Sequence, residues 1–210
     1  MSPTLRGTGR QYWVAVRAMI VLTVLLGVVY PLAMTGAGQL IMPGRANGSP
    51  VKADGRVVGS SLIGQSFTDA KGRPLAQWFQ SRPSAAGAGY DANASGASNL
   101  GPDNPALTEA IDARKHRIER LDGAGAASIP PDAVTASGSG LDPDISPGYA
   151  LLQVPAVAEA RGIAQSRVES LVKSRIQGRD LGYLGEPTVN VLQLNLALSQ
   201  LDPSGDAGTR

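Results

Sequence analysis

Apolar positions fall into one long run near the N-terminus and several short periodic stretches beyond residue 100, with segments almost free of large side chains between them. The long run, residues 18–38, reads AMIVLTVLLGVVYPLAMTGAG and carries no charge. As a helix rising 1.5 Å per residue it reaches roughly 30 Å, the hydrocarbon thickness of a bilayer. Arg6, Arg10 and Arg17 precede it without any acidic residue, and the next charge is Arg45. Basic residues stay on the cytoplasmic side, so the pattern predicts an inner N-terminus and an outer remainder. Tyr12 and Trp13 sit where aromatic rings favour the headgroup level. Pro31 lacks an amide hydrogen and predicts a kink or an end to the regular helix. Gly27, Gly36 and Gly38 suit close packing against another membrane helix. A cleaved signal peptide ending at Thr35-Gly36-Ala37 is the competing reading, but the run exceeds the 7–15 apolar residues of such a signal, which favours a retained anchor.

Beyond the run, residues 43–54 read as a polar turn and Arg56-Val57-Val58 as a short strand. Trp78-Phe79-Gln80 reads as the end of another strand. Residues 84–101 are mostly Ala, Gly, Ser and Asn, a composition that buries little and fits either a mobile linker or a loop ordered by a partner. Asn104-Pro105 opens a helix, Leu107, Ile111, Ile118 and Leu121 form its apolar stripe, and Gly123 stops it. Arg114 lies within that stripe and is expected to pair with an acid or to snorkel; His116 points to the opposite face. Residues 123–147 form a second small-residue segment. Two helices follow, at 153–162 and 165–177, the second buried through Val168, Leu171, Val172 and Ile176 and stopped by Gly178. From Val189 the periods of strand and helix mix, which predicts a short extended stretch and then a helix through Leu194, Leu198 and Leu201. The expected division is therefore an inner segment over 1–17, a membrane helix with its outer end over 18–42, one mixed α/β soluble domain (α+β class) over 43–203, and a disordered tail over 204–210.

Charge and chemistry narrow the function. The net charge is +2, and removing the three arginines before the span leaves −1 for the part from Arg45 onward, which argues against nucleic acid as a partner. The chain has no cysteine, hence no disulfide, thiol nucleophile or thiolate metal site. Phosphate-loop, dinucleotide, zinc-protease and serine-hydrolase signatures are missing. His116 is the single histidine, and a triad would have to use it from a face turned away from the stripe. Asp142 and Asp144, one residue apart across Pro143, could hold a cation or shape a turn; the turn is the commoner outcome. A membrane-anchored external enzyme using this pair stays open as an alternative.

Several ordered runs resemble the C-subunit family of the Kdp potassium-transporting ATPase: Gly27-Val28-Val29-Tyr30-Pro31, Ala46-Asn47-Gly48-Ser49, Gly59-Ser60-Ser61-Leu62-Ile63-Gly64-Gln65-Ser66-Phe67, Phe79-Gln80-Ser81-Arg82-Pro83-Ser84, Ala94-Ser95-Gly96-Ala97-Ser98-Asn99-Leu100, Val134-Thr135-Ala136-Ser137, Ser139-Gly140-Leu141-Asp142, Gly185-Glu186-Pro187, Val189-Asn190-Val191 and Leu194-Asn195-Leu196-Ala197-Leu198. The resemblance implies a non-catalytic subunit, anchored in the cell membrane by one helix, with its soluble domain outside. Its implied partners are a channel-like pore subunit, a P-type ATPase subunit that hydrolyses ATP, a small membrane peptide and the bilayer. It implies a catalytic chaperone that raises the ATPase's affinity for ATP, with no tightly bound cofactor; ATP itself would come through the ATPase subunit. By the same resemblance Gln153, in the pair Gln153-Val154, is the nucleotide-binding residue. Ser81, Arg82, Pro83, Ser84, Asn99, Ser137, Asp142 and Asp144, on the two small-residue loops, are the expected partner contacts.

Overall fold

The computed structural model describes residues 5–206. Residues 1–4 of the expected inner segment and 207–210 of the expected tail lie outside the described residues. The chain divides into two units, Met1–Ser49 and Pro50–Arg210.

The first unit is helical. Helix α1 (Leu5–Val24) runs through a five-residue π turn (Leu25–Val29) into α2 (Tyr30–Ile41), and a single turn, α3 (Pro43–Ala46), follows. The stretch Thr8–Ile41 is long and apolar enough to cross a membrane, and none of its most apolar window is buried. Pro31 does not end the helix. Its missing amide hydrogen and its ring would disrupt the bond to the carbonyl four residues back. The π turn absorbs the disruption: the Tyr30 amide donates to the carbonyl of Leu25, five residues back.

The second unit mixes helices with two-stranded antiparallel ladders. Strand β1 (Pro50–Ala53) pairs with β2 (Arg56–Ser60) across a tight turn, so part of the expected polar turn is strand. Asp54 and Gly55 both take positive φ in that turn, which Asp tolerates and Gly adopts freely. Helix α4 (Pro105–Asp122) has the expected limits: Asn104 accepts from the amide of Ala106, and Gly123 closes the end at φ 64°. Among the described residues Arg114 pairs with no acid; its Nη1 donates to the carbonyl of Val134 at 2.8 Å, and burial lowers its pKa. His116 is exposed beside Glu119. After the short helix α5 (Pro131–Val134) and strand β3 (Asp144–Ile145), helix α6 (Pro147–Arg161) begins six residues before its expected start. Ser146 caps it, accepting from the amide of Tyr149 at 3.1 Å, while Asp132 holds Ser146 through two hydrogen bonds. Pro155 suggests a later start but lies inside the helix, where packing overrides its cost. Helix α7 (Gln165–Ser174) ends early because Gln177 leaves it to pair with Thr188, N–H to carbonyl in both directions at 2.8 and 3.1 Å. Strand β4 (Val189–Asn190) and helix α8 (Val191–Leu201) follow as expected. Within the expected disordered tail, residues 204–206 take part in a 3-10 turn, in which the Ser204 hydroxyl donates to Asp202.

The core lies where α6, α7 and α8 meet, around Phe79, Val154, Val168, Val172, Leu194 and Leu198. Trp78-Phe79-Gln80 crosses this core and is not a strand end. Primary amides of two helices replace a neighbouring strand. Asn195 accepts from the Phe79 amide and donates to its carbonyl, both at 2.9 Å. Gln153 does the same for Gln80, accepting at 2.6 Å and donating at 3.2 Å. Arg161, two turns beyond Gln153, donates to the Gln77 carbonyl at 2.8 Å and stacks 4.3 Å over Trp78. Buried backbone polar groups need partners, and here side chains supply them.

Asp122, the last residue of α4, is an internal liability. Burial pushes its carboxyl up to about 7 from 3.8, and a negative charge at a helix C-terminus opposes the macrodipole. A carboxyl raised in the fold contributes stability that is full below its unfolded value and is lost as pH rises through its folded value. Stability from this group is therefore expected to fall between pH 4 and 7 and stay flat above. Asp122→Asn is expected to stabilise the protein at pH 8 by on the order of 1–2 kcal/mol, discounted for partial exposure. Thermal unfolding at pH 5 and pH 8 checks this: the gain should be larger at pH 8, and an equal gain at both would contradict it.

Candidate functional site

The pinned segment Gln77-Trp78-Phe79-Gln80 sets the position of the loop that leaves it. Ser81 donates to the carbonyl of Gln65 at 2.8 Å. Arg82 Nη1 meets Asp142 Oδ2 at 2.8 Å. Ser84 donates to the carbonyl of Gly140 at 2.6 Å and accepts from the amides of Ala86 and Tyr90 at 3.1 and 2.8 Å. The Tyr90 hydroxyl donates to the Arg82 carbonyl, and burial pushes its pKa up to about 12. Ser95 and the amide of Gly96 both donate to the carbonyl of Ser139, at 3.0 and 2.9 Å. The first small-residue loop thus packs against the second. Their contact requires Gly140, which sits at φ +68° with the place of a Cβ only 2.7 Å from the Ala86 nitrogen and the Gly96 oxygen.

The two aspartates divide their work. Asp142 Oδ1 accepts from the amide of Asp144 at 3.0 Å, closing the Asp-Pro turn, while its other oxygen holds Arg82. Asp144 lies opposite Asn190 in the β3–β4 ladder. It accepts from Asn190 Nδ2 at 3.0 Å and from Thr188 at 3.5 Å, and burial raises its pKa against the pull of the Asn190 bond. Asn190 also donates to the carbonyl of Ser61 at 2.9 Å and so ties three segments together. This arrangement fastens loops.

Of the residues singled out from sequence, Ser81, Arg82, Ser84 and Asp142 converge at the joint, with Pro83 beside them. Asp144 stands next to it on β3. Ser137 lies at its margin, its hydroxyl 3.4 Å from that of Ser139. Asn99 is exposed, at φ +52°. Gln153 lies beneath it, 1 % exposed, with the amide engaged by Gln80.

Beside the joint opens a cleft of about 230 Å³. Its rim includes Ser66, Thr68, Arg82, Arg114 and Arg117, and its apolar side includes Phe67 and Ile118.

Comparison with known proteins decides the family. A family model described as "KdpC: K+-transporting ATPase, c chain" matches residues 12–200. The chain belongs to the KdpC family. It is 51% identical over 203 residues to the potassium-transporting ATPase KdpC subunit of Kineococcus radiotolerans, covering 97% of this chain and 100% of that one. It is 52% identical over 191 residues to the KdpC subunit of Nitratidesulfovibrio vulgaris, covering 89% and 94%. The KdpC subunit of Myxococcus xanthus is 52% identical over 187 residues, covering 89% and 86%.

The runs that carry the KdpC resemblance are largely those that bond to one another here. Gly64 donates to the Leu141 carbonyl at 2.9 Å, Ser84 reaches Gly140, Asn190 reaches Ser61, and Asn195 holds Phe79. Sequence reasoning missed Gln65, Tyr90, Asn190 and Asn195 as members of this network. Asn195 did carry a signal: it is a lone amide inside the otherwise aliphatic Leu194-Asn195-Leu196-Ala197-Leu198, where a polar residue needs a partner.

Proposed function

We propose that this chain is a non-catalytic accessory subunit of an ATP-driven potassium uptake pump. It spans the membrane once with its N-terminus inside, and its outer domain stabilises the complex by packing against the pore subunit. The observation that carries the reading is the joint of the two small-residue loops, within a chain of KdpC-family membership. Its polar groups are spent on holding backbone in place, which makes a rigid surface of Ser, Gly and Ala with few bulky side chains. Such a surface lets another protein approach closely. The arginines before the apolar helix support the orientation. ATP belongs to the ATPase subunit in this reading. The burial of Gln153 and the use of its amide by Gln80 support an internal role for that residue. Any effect of this subunit on ATP affinity passes through the assembly.

Ending the chain after Gly44 tests the proposal. The truncated chain retains the anchor and is expected to leave the pump dissociated or inactive, measured by co-purification and ATPase turnover. Full turnover of an intact complex with the truncated chain would contradict it.

A further inference from the structure

The cleft beside the joint is electrostatically unbalanced. Arg114, Arg117 and Arg82 line it, and among the described residues no acidic side chain does. Arg82 is answered by Asp142 outside the lining, yet its Nε is buried and among the described residues has no hydrogen-bond partner. Arg114 is bonded to a carbonyl, and among the described residues no acid pairs with its charge. Arg117 is exposed, and among the described residues it has no hydrogen-bond or ion-pair partner. The Arg117 guanidinium lies close enough to disfavour the charge on Arg114, second to the effect of burial. Two like charges in a concave, partly apolar site attract an anion more strongly than the same charges on an open surface. Phe67, Pro74, Ile118 and Leu121 give the cleft an apolar wall. Its volume of about 230 Å³ falls below the roughly 300–1,000 Å³ of sites for drug-sized ligands, so it suits one or two amino-acid side chains.

We propose that this cleft receives an acidic side chain, with an apolar neighbour, from an outer loop of another subunit of the pump. The carboxylate meets Arg117 and Arg114, and the apolar neighbour lies on Phe67 and Leu121. This rests on the reading of the chain as a pump subunit with an external domain. Guanidinium groups bind carboxylates through paired N–H donors, which gives the contact direction as well as charge.

The absence of cysteine from the chain permits a clean test. Ser66→Cys places one thiol on the rim of the cleft, where Ser66 is exposed. Intact cells are treated with a membrane-impermeant maleimide, and the full chain is recovered. With this chain expressed alone, the thiol should be labelled. With the whole pump, labelling should be lost, and adding Arg117→Glu should restore it while the complex still co-purifies. Equal labelling with and without the other subunits would overturn the proposal. So would protection already present in the chain expressed alone and relieved by washing, which would assign the cleft to a free small anion. If the thiol reacts only after cells are permeabilised, the external placement is wrong. The same comparison of chain alone, pump and Arg117→Glu pump in permeabilised cells then decides the contact by itself.

Discussion

Replacing Gln153 with alanine is expected to destabilise the fold by about 3–4 kcal/mol. The side chain is 1 % exposed, and it accepts from the amide of Gln80 at 2.6 Å while donating to the carbonyl of the same residue at 3.2 Å. Alanine would leave both groups unpaired in the interior, each costing about 1–3 kcal/mol, and would open a void where the side chain was. The effect should spread, because Ser81, Arg82 and Ser84 come directly after the segment that Gln153 holds. Chemical unfolding of the full chain in detergent, read by tryptophan fluorescence, measures it. A loss under about 1 kcal/mol would show that the amide does not hold Gln80. Any change in ATP affinity in such a variant should track the loss of folded subunit.

The second large effect concerns the anchor. Leu25→Asp with Leu26→Asp is expected to abolish membrane retention, since each central acid costs on the order of 2.5–3.5 kcal/mol on insertion scales. Both leucines lie in the π turn, 49% and 60% exposed, in the middle of the apolar helix. Recovery of the variant in carbonate-washed membranes at the wild-type level would contradict a single span through these residues. A mature chain beginning at Gly38, found by N-terminal sequencing, would show a cleaved signal instead.

Elements with local causes were legible in the sequence. The apolar helix follows from an uncharged run of bilayer length. Helix α4 follows from Asn104, Pro105 and Gly123, and α8 from its leucines. Pro31 marked the right place, but the remedy, a π turn on its N-terminal side, is a choice that composition does not reveal. The candidate site was half legible. Ser84 and Asp142 stood out within loops of unusual composition, and the resemblance turned those loops from linkers into expected contacts. Their mutual packing was hidden, because Ser84 and Gly140 are 56 residues apart and no periodicity connects them. The amide bonds over Phe79 and Gln80 were hidden for the same reason, joining partners 116 and 73 residues apart. A strand would have satisfied the same backbone groups, so the apolar cluster alone could not tell the two solutions apart.

The proposed outer domain is expected to work by binding the pore subunit and only weakly by its charge. With −1 on the part beyond the anchor, and fields screened beyond about 8 Å at physiological salt, long-range steering of potassium is slight. Asp142 and Asp144 are engaged by Arg82 and Asn190, and Asp91 accepts from the amide of Asn93. The most direct measurement is potassium-stimulated ATPase activity against potassium concentration, in purified complexes carrying Asp91→Asn, Asp103→Asn, Asp142→Asn or Asp144→Asn singly. Each variant that assembles is expected to shift the apparent potassium affinity less than tenfold, under about 1.4 kcal/mol. One variant with intact assembly and a far larger loss of affinity would contradict the claim and place a potassium site in this subunit.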